Sequence, residues 1–175
     1  ILVTNSFFTY SGGFNYASGL ASQIGNANVS ISGVQVNANI SGTIAYQGGF
    51  IGSVFGSTSI EINNSTFSGI TTGEEAHGGF IGLLFNNQNM IIKGNNLYNQ
   101  GLVNKTVSDY GDHGHIFGRV ESGSLSVANI SNISINSTSD IELVGSNYIG
   151  DSLKIDPSDE VNAIDNVTNG SITYP

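Results

Sequence analysis

The sequence predicts an all-β chain folded as a right-handed parallel β-helix, a β-solenoid with three short strands in each coil of about 30 residues. Three observations lead there. A five-residue motif recurs at intervals near 30, apolar residues alternate over runs of three to five positions, and no stretch keeps a helical period for three turns. The right hand is taken from the strong preference of parallel crossovers for that sense.

The motif is "GGFIG", at residues 48–52 and again at 78–82, a shift of 30. "GHIFG" at 114–118 and "SNYIG" at 146–150 keep an apolar pair followed by Gly, at shifts of 36 and 32, and "SGLAS" at 18–22 fits the same frame upstream. A Gly at a sharp bend supplies either a positive φ or a close approach of two backbones. On that ground Gly48, Gly49, Gly52, Gly78, Gly79, Gly82, Gly114, Gly118 and Gly150 are expected at the corners of the repeat.

Eight to ten residues after each motif comes an alternating strand: Val29-Ser30-Ile31, Ile60-Glu61-Ile62, Met90-Ile91-Ile92 and Leu125-Ser126-Val127. A third apolar patch follows, at Val34 and Val36, at Phe67 with Ile70, at Leu97 with Tyr98, and at Ile130, Ile133 and Ile135. The repeats fall near 11–46, 47–76, 77–112, 113–146 and 147–175, all within one β-solenoid segment spanning 1–175. Strand spacing near 4.8 Å makes five to six such coils a rod of roughly 25 to 30 Å. An antiparallel sandwich explains strands every 8 to 12 residues but not a motif that returns at 30. The chain opens at Ile1 without Met and partway through a coil, which suggests a portion of a longer chain or assembly.

Composition narrows the function. Asp and Glu number 13 against 4 Lys and Arg, a net charge of -9, which disfavours nucleic acid and anionic membrane surfaces. Polarity comes instead from 22 Asn, 24 Ser and 24 Gly. The absence of Cys removes disulfides, zinc thiolates and thiol nucleophiles. No apolar run approaches the roughly 20 residues of a membrane helix, so no membrane insertion is expected in this segment.

Ten Asn-x-Ser/Thr sequons stand at Asn28, Asn39, Asn63, Asn64, Asn104, Asn129, Asn132, Asn136, Asn166 and Asn169. Residue frequencies alone give roughly four such motifs, and each is a possible N-glycan acceptor in a secreted protein. Glycans on a solenoid must leave from outward positions. Adjacent Asn63 and Asn64 are not expected to be modified together, because their sugars would collide.

The densest polar cluster is Asp109, Asp112, His113, His115, Arg119 and Glu121, and carboxylates beside an imidazole could do general acid-base work on a polysaccharide. The repeat supplies the competing reading. Asp112-His113-Gly114-His115 fills the frame of Ala76-His77-Gly78-Gly79, so His113 is the counterpart of His77 at a solvated corner. The two imidazoles could then lie one above the other and bind a metal or titrate together, although stacked surface histidines are commoner than metal sites. The acidic run Asp151, Asp156, Asp159 and Glu160 lacks calcium-loop spacing. No catalytic, cofactor-binding or metal residue is therefore assigned, and the chain is not expected to be an enzyme.

Over residues 11–152 the "GGFIG" motif resembles the GLUG-type repeats of large secreted surface proteins, with Phe and Ile in place of the Leu of their Gly-Leu-x-Gly core. The chain also looks like long Asn- and Ser-rich repetitive surface proteins of microbes, including protists. The resemblance implies a stalk or binding surface with no catalytic residue in the repeat. The expectation is an extracellular or cell-surface structural or adhesive module that could serve as the protomer of an end-to-end glycosylated fibre. Its partners would be itself or neighbouring repeats, and glycans or host and cell surfaces. The alternatives are a β-helix polysaccharide lyase or hydrolase and a glycan-binding module.

Overall fold

A computed structural model describes residues 2–4, 7–12, 17–41, 46–73, 75–85, 90–105, 112–120, 125–135 and 144–147. These residues are all-β: they contain strands and no helix, and every strand pairing among them is parallel. The strands belong to three sheets. The largest contains β1 (Leu2–Thr4), β2 (Phe7–Gly12), β5 (Asn28–Ser32), β6 (Gln35–Ser41), β9 (Ser59–Phe67), β10 (Ile70–Gly73), β13 (Met90–Asn99), β14 (Leu102–Lys105) and β17 (Leu125–Ile135). A second consists of two-residue strands, β3 (Ala17–Ser18), β7 (Gln47–Gly48), β11 (His77–Gly78) and β15 (His113–Gly114). The third contains β4 (Ala21–Gly25), β8 (Ile51–Phe55), β12 (Ile81–Phe85), β16 (Phe117–Val120) and β18 (Val144–Asn147).

Strands pair with their equivalents in the next repeat. Ile51 stands opposite Ile81 and Ile81 opposite Phe117. Val29 stands opposite Ile60, and Ile60 opposite Ile92. Equivalent apolar side chains therefore stack in columns, and Phe50 lies on Phe80 with ring centroids 4.8 Å apart and planes at 18°. Ile31, Ile40, Phe50, Ile51, Ile60, Phe67, Phe80 and Ile81 are fully buried, each worth about 1.5–3 kcal/mol relative to exposure. β6 shows the alternation that makes this possible: Val36, Ala38 and Ile40 are buried, while Gln35, Asn37, Asn39 and Ser41 are exposed.

The motif glycines lie at a seam between the second and third sheets. Gly48 and Gly78 end β7 and β11, and a Cβ on either would strike the carbonyl oxygen of Ile51 or Ile81, three residues on. Gly52, Gly82 and Gly118 lie inside β8, β12 and β16. A Cβ on Gly82 would stand 2.6 Å from the backbone N and O of Gln47 and from the Gly52 oxygen. One on Gly118 would meet the His77 nitrogen. Close backbone approach is thus what "GG-apolar-apolar-G" provides.

Positive φ belongs elsewhere. Among the described residues, Gly with φ near +67° occurs at Gly33 (66°) and Gly56 (67°), and Asn26, Asn64 and Asn96 hold φ of 50°, 49° and 54°. Gly33, Asn64 and Asn96 occupy one register position of the largest sheet, between the two apolar patches of successive repeats. Asn tolerates this left-handed conformation better than other residues with a Cβ. The second and third predicted strands form the continuous β9 and β13, which hold Asn64 and Asn96 within them, whereas β5 and β6 stay separate on either side of Gly33.

Two alignments differ from the sequence frame. Ile92, not Met90, pairs with Ile60, a slip of two that keeps the same side inward. β18 pairs Val144 with Phe117 and Ser146 with Arg119, so "SNYIG" is not in register with "GHIFG". That register sets Gly145 beside Gly118, where the seam excludes a Cβ. Gly150 lies outside the described residues.

Candidate functional site

Two polar regions stand out against the apolar columns. The first is an interior column running along the second sheet: Ala17, Gln47, His77 and His113 are register partners. All are buried, His77 at 0% and His113 at 6% relative exposure. Their imidazoles stack with centroids 5.1 Å apart and planes at 17°. The stacking follows from the repeat, but the solvated corner expected for them is replaced by the interior. The first residue of each two-residue strand turns inward, as Gln47 does without carrying a ring.

Burial pushes the His77 pKa down from 6.5 to about 3, with the neighbouring His113 charge adding to the effect and a hydrogen bond to the Gly73 backbone opposing it. His77 is therefore neutral in the folded chain at ordinary pH. His115 is also fully buried, and Asn99 donates from Nδ2 to its backbone oxygen at 2.9 Å and approaches its Nδ1 at 3.4 Å. Asn99 Oδ1 accepts from the Gly101 N–H at 2.9 Å. This amide stands in the column of Val36 and Phe67, a polar substitute at an apolar register position.

Of the other residues in the polar cluster, Asp112 Oδ2 pairs with Arg119 Nε at 3.3 Å, both partly buried. Asp109 and Glu121 lie outside the described residues, as do Asp151, Asp156, Asp159 and Glu160. Among the described residues the cluster comprises this carboxylate–guanidinium pair and two buried imidazoles, His113 and His115. No three potential metal-ligating side chains come together among the described residues.

The second region is the outward face of the largest sheet. Asn28, Asn39, Asn64 and Asn104 are exposed there and Asn63 is half-buried. Asn129 and Asn132 lie on β17 of the same sheet, so every described sequon belongs to it. Asn136, Asn166 and Asn169 lie outside the described residues. Asn96 Nδ2 donates to Asn64 Oδ1 at 2.8 Å, an amide ladder between repeats at the left-handed position. Asn63 Nδ2 donates to Glu61 Oε1 at 2.9 Å, and Asn104 Nδ2 to Thr72 Oγ1 at 3.4 Å. The sequence reading found these Asn as sequons and missed the ladder, since Asn96 is not followed by Ser or Thr at the required place. Comparison with protein-family models, curated proteins and solved structures finds no match.

Proposed function

We propose that this chain is a structural and adhesive module of an extracellular surface, a right-handed parallel β-helix that joins equivalent repeats end to end and carries N-glycans on one face. The observation that supports this most is the parallel pairing of successive repeats in all three sheets. A strand at either end of such a stack presents a row of backbone donors and acceptors and a set of side-chain columns that suit one more repeat. Another protomer, or a neighbouring domain of the same kind, supplies that repeat. The outward Asn, Ser and Thr of the largest sheet meet solvent, and sugars on them hinder lateral packing and proteolysis.

Electron microscopy of the native material tests the reading. Regular fibres continuous with the module along the stacking direction are expected. Isolated particles that stay monomeric at high concentration would count against the fibre. Peptide mass spectrometry before and after glycan release tests the sugar: an absence of glycan at every sequon removes the glycoprotein part of the proposal.

A further inference from the structure

The third sheet has an outer surface unlike that of the largest sheet. Phe55 and Phe85 are register partners at the ends of β8 and β12, and they remain 39% and 43% exposed. They line a groove of about 370 Å³ with Gln23, Tyr46, Ser53, Gly56 and Leu83. Leu83 is buried and forms an apolar floor, while Gln23 Nε2 donates to Ser53 Oγ across one repeat at 3.4 Å. A Cβ on Gly25 would collide with the Phe55 ring, so the missing side chain lets that ring lie against the backbone of β4.

We propose that this groove is a binding subsite for a neutral saccharide; the inference rests on the adhesive reading and gives it a ligand. None of the lining residues carries a formal charge, and the next residue of the Ser53–Leu83 column, Arg119, is paired with Asp112. A chain of net charge -9 also repels anionic ligands. What fits is uncharged, with one apolar face for the two rings and a hydroxyl rim for an amide and a hydroxyl. A pyranose has this form: its C–H face packs on aromatic rings and its hydroxyls exchange hydrogen bonds with side chains such as Gln23 and Ser53. The 3.4 Å contact between those two is long enough to yield readily to a ligand. No described sequon lies on this sheet, so the described glycan candidates leave from another face.

The test is calorimetric titration of the whole chain with neutral trisaccharides of glucose, galactose, mannose and N-acetylglucosamine, repeated on Phe85→Leu and Phe55→Leu. Leu keeps apolar bulk and removes the ring. Binding of at least one trisaccharide is expected, weakened about tenfold in each variant, roughly the loss of one good contact, with thermal unfolding of the variants close to that of the parent. No uptake of any trisaccharide overturns the proposal, as does uptake that both variants leave unchanged. Concentration-dependent self-association that is lost in the Leu variants overturns it too, because the groove would then seat a second copy. Fibres in native material without sugar uptake sink this inference alone; isolated particles without uptake sink the structural and adhesive reading with it.

Discussion

The seam between the second and third sheets and the outward face of the largest sheet are built from the same repeat under opposite constraints. At the seam, Gly52, Gly82 and Gly118 lie where backbone atoms of the second and third sheets leave no space for a Cβ. On the outward face, Asn28, Asn39, Asn64 and Asn104 project into solvent, and Asn, Ser, Thr and Glu alternate there. The difference explains why the motif is strict and the rest of the repeat is loose. A side chain added at the seam has to displace backbone, whereas one changed on the face displaces water.

The sharpest way to break this contrast is to empty the interior beside the seam. Phe80→Ala removes a fully buried ring and its stack on Phe50, and is expected to cost about 4 kcal/mol in denaturant unfolding. Gly82→Ala tests the seam itself. With three backbone atoms at 2.6 Å from the added Cβ, a loss of about 3 kcal/mol is expected, and a loss below that of an exposed-face substitution would show that the sheets separate easily.

Acid should separate the two regions without mutation. The unfolded chain protonates His77 near 6.5, and the folded chain resists until about 3. As pH falls from 6.5 toward 3 the unfolded state therefore binds more protons, and stability declines through that window. His77→Gln, which copies the register partner Gln47, is expected to flatten this part of the pH profile; an unchanged profile would show that other groups govern it.

The smallest effects belong to the face. Asn96→Ala removes the side-chain hydrogen bond to Asn64 and places Ala at a φ of 54°, for an expected cost of about 1 kcal/mol. Asn39→Ala, at an exposed site on β6, should stay within about 0.5 kcal/mol. A larger loss at Asn39 than at Asn96 would mean that the outward face is engaged in packing.

The histidines mark the limit of reading a repeat by frame alone. Frame correctly set His113 against His77, because register follows from the recurring motif. It could not tell that the position points inward, since a strand of two residues has too little alternation to reveal its buried side. Phe55 and Phe85 show the converse: their type suggests a core, and only their place at the strand ends leaves them exposed.

The sequence by itself determined the all-β class, the parallel pairing of repeats near 30 residues apart and the positions of most strands, because period-2 alternation and recurrence are written in residue order. The tertiary structure decided what residue order does not encode: which glycines serve close approach and which serve left-handed φ, the register of Ile92 and of Val144, and the burial of the imidazoles. These depend on which backbone atoms of one repeat meet those of the next, a distance that exists only after the sheets have packed.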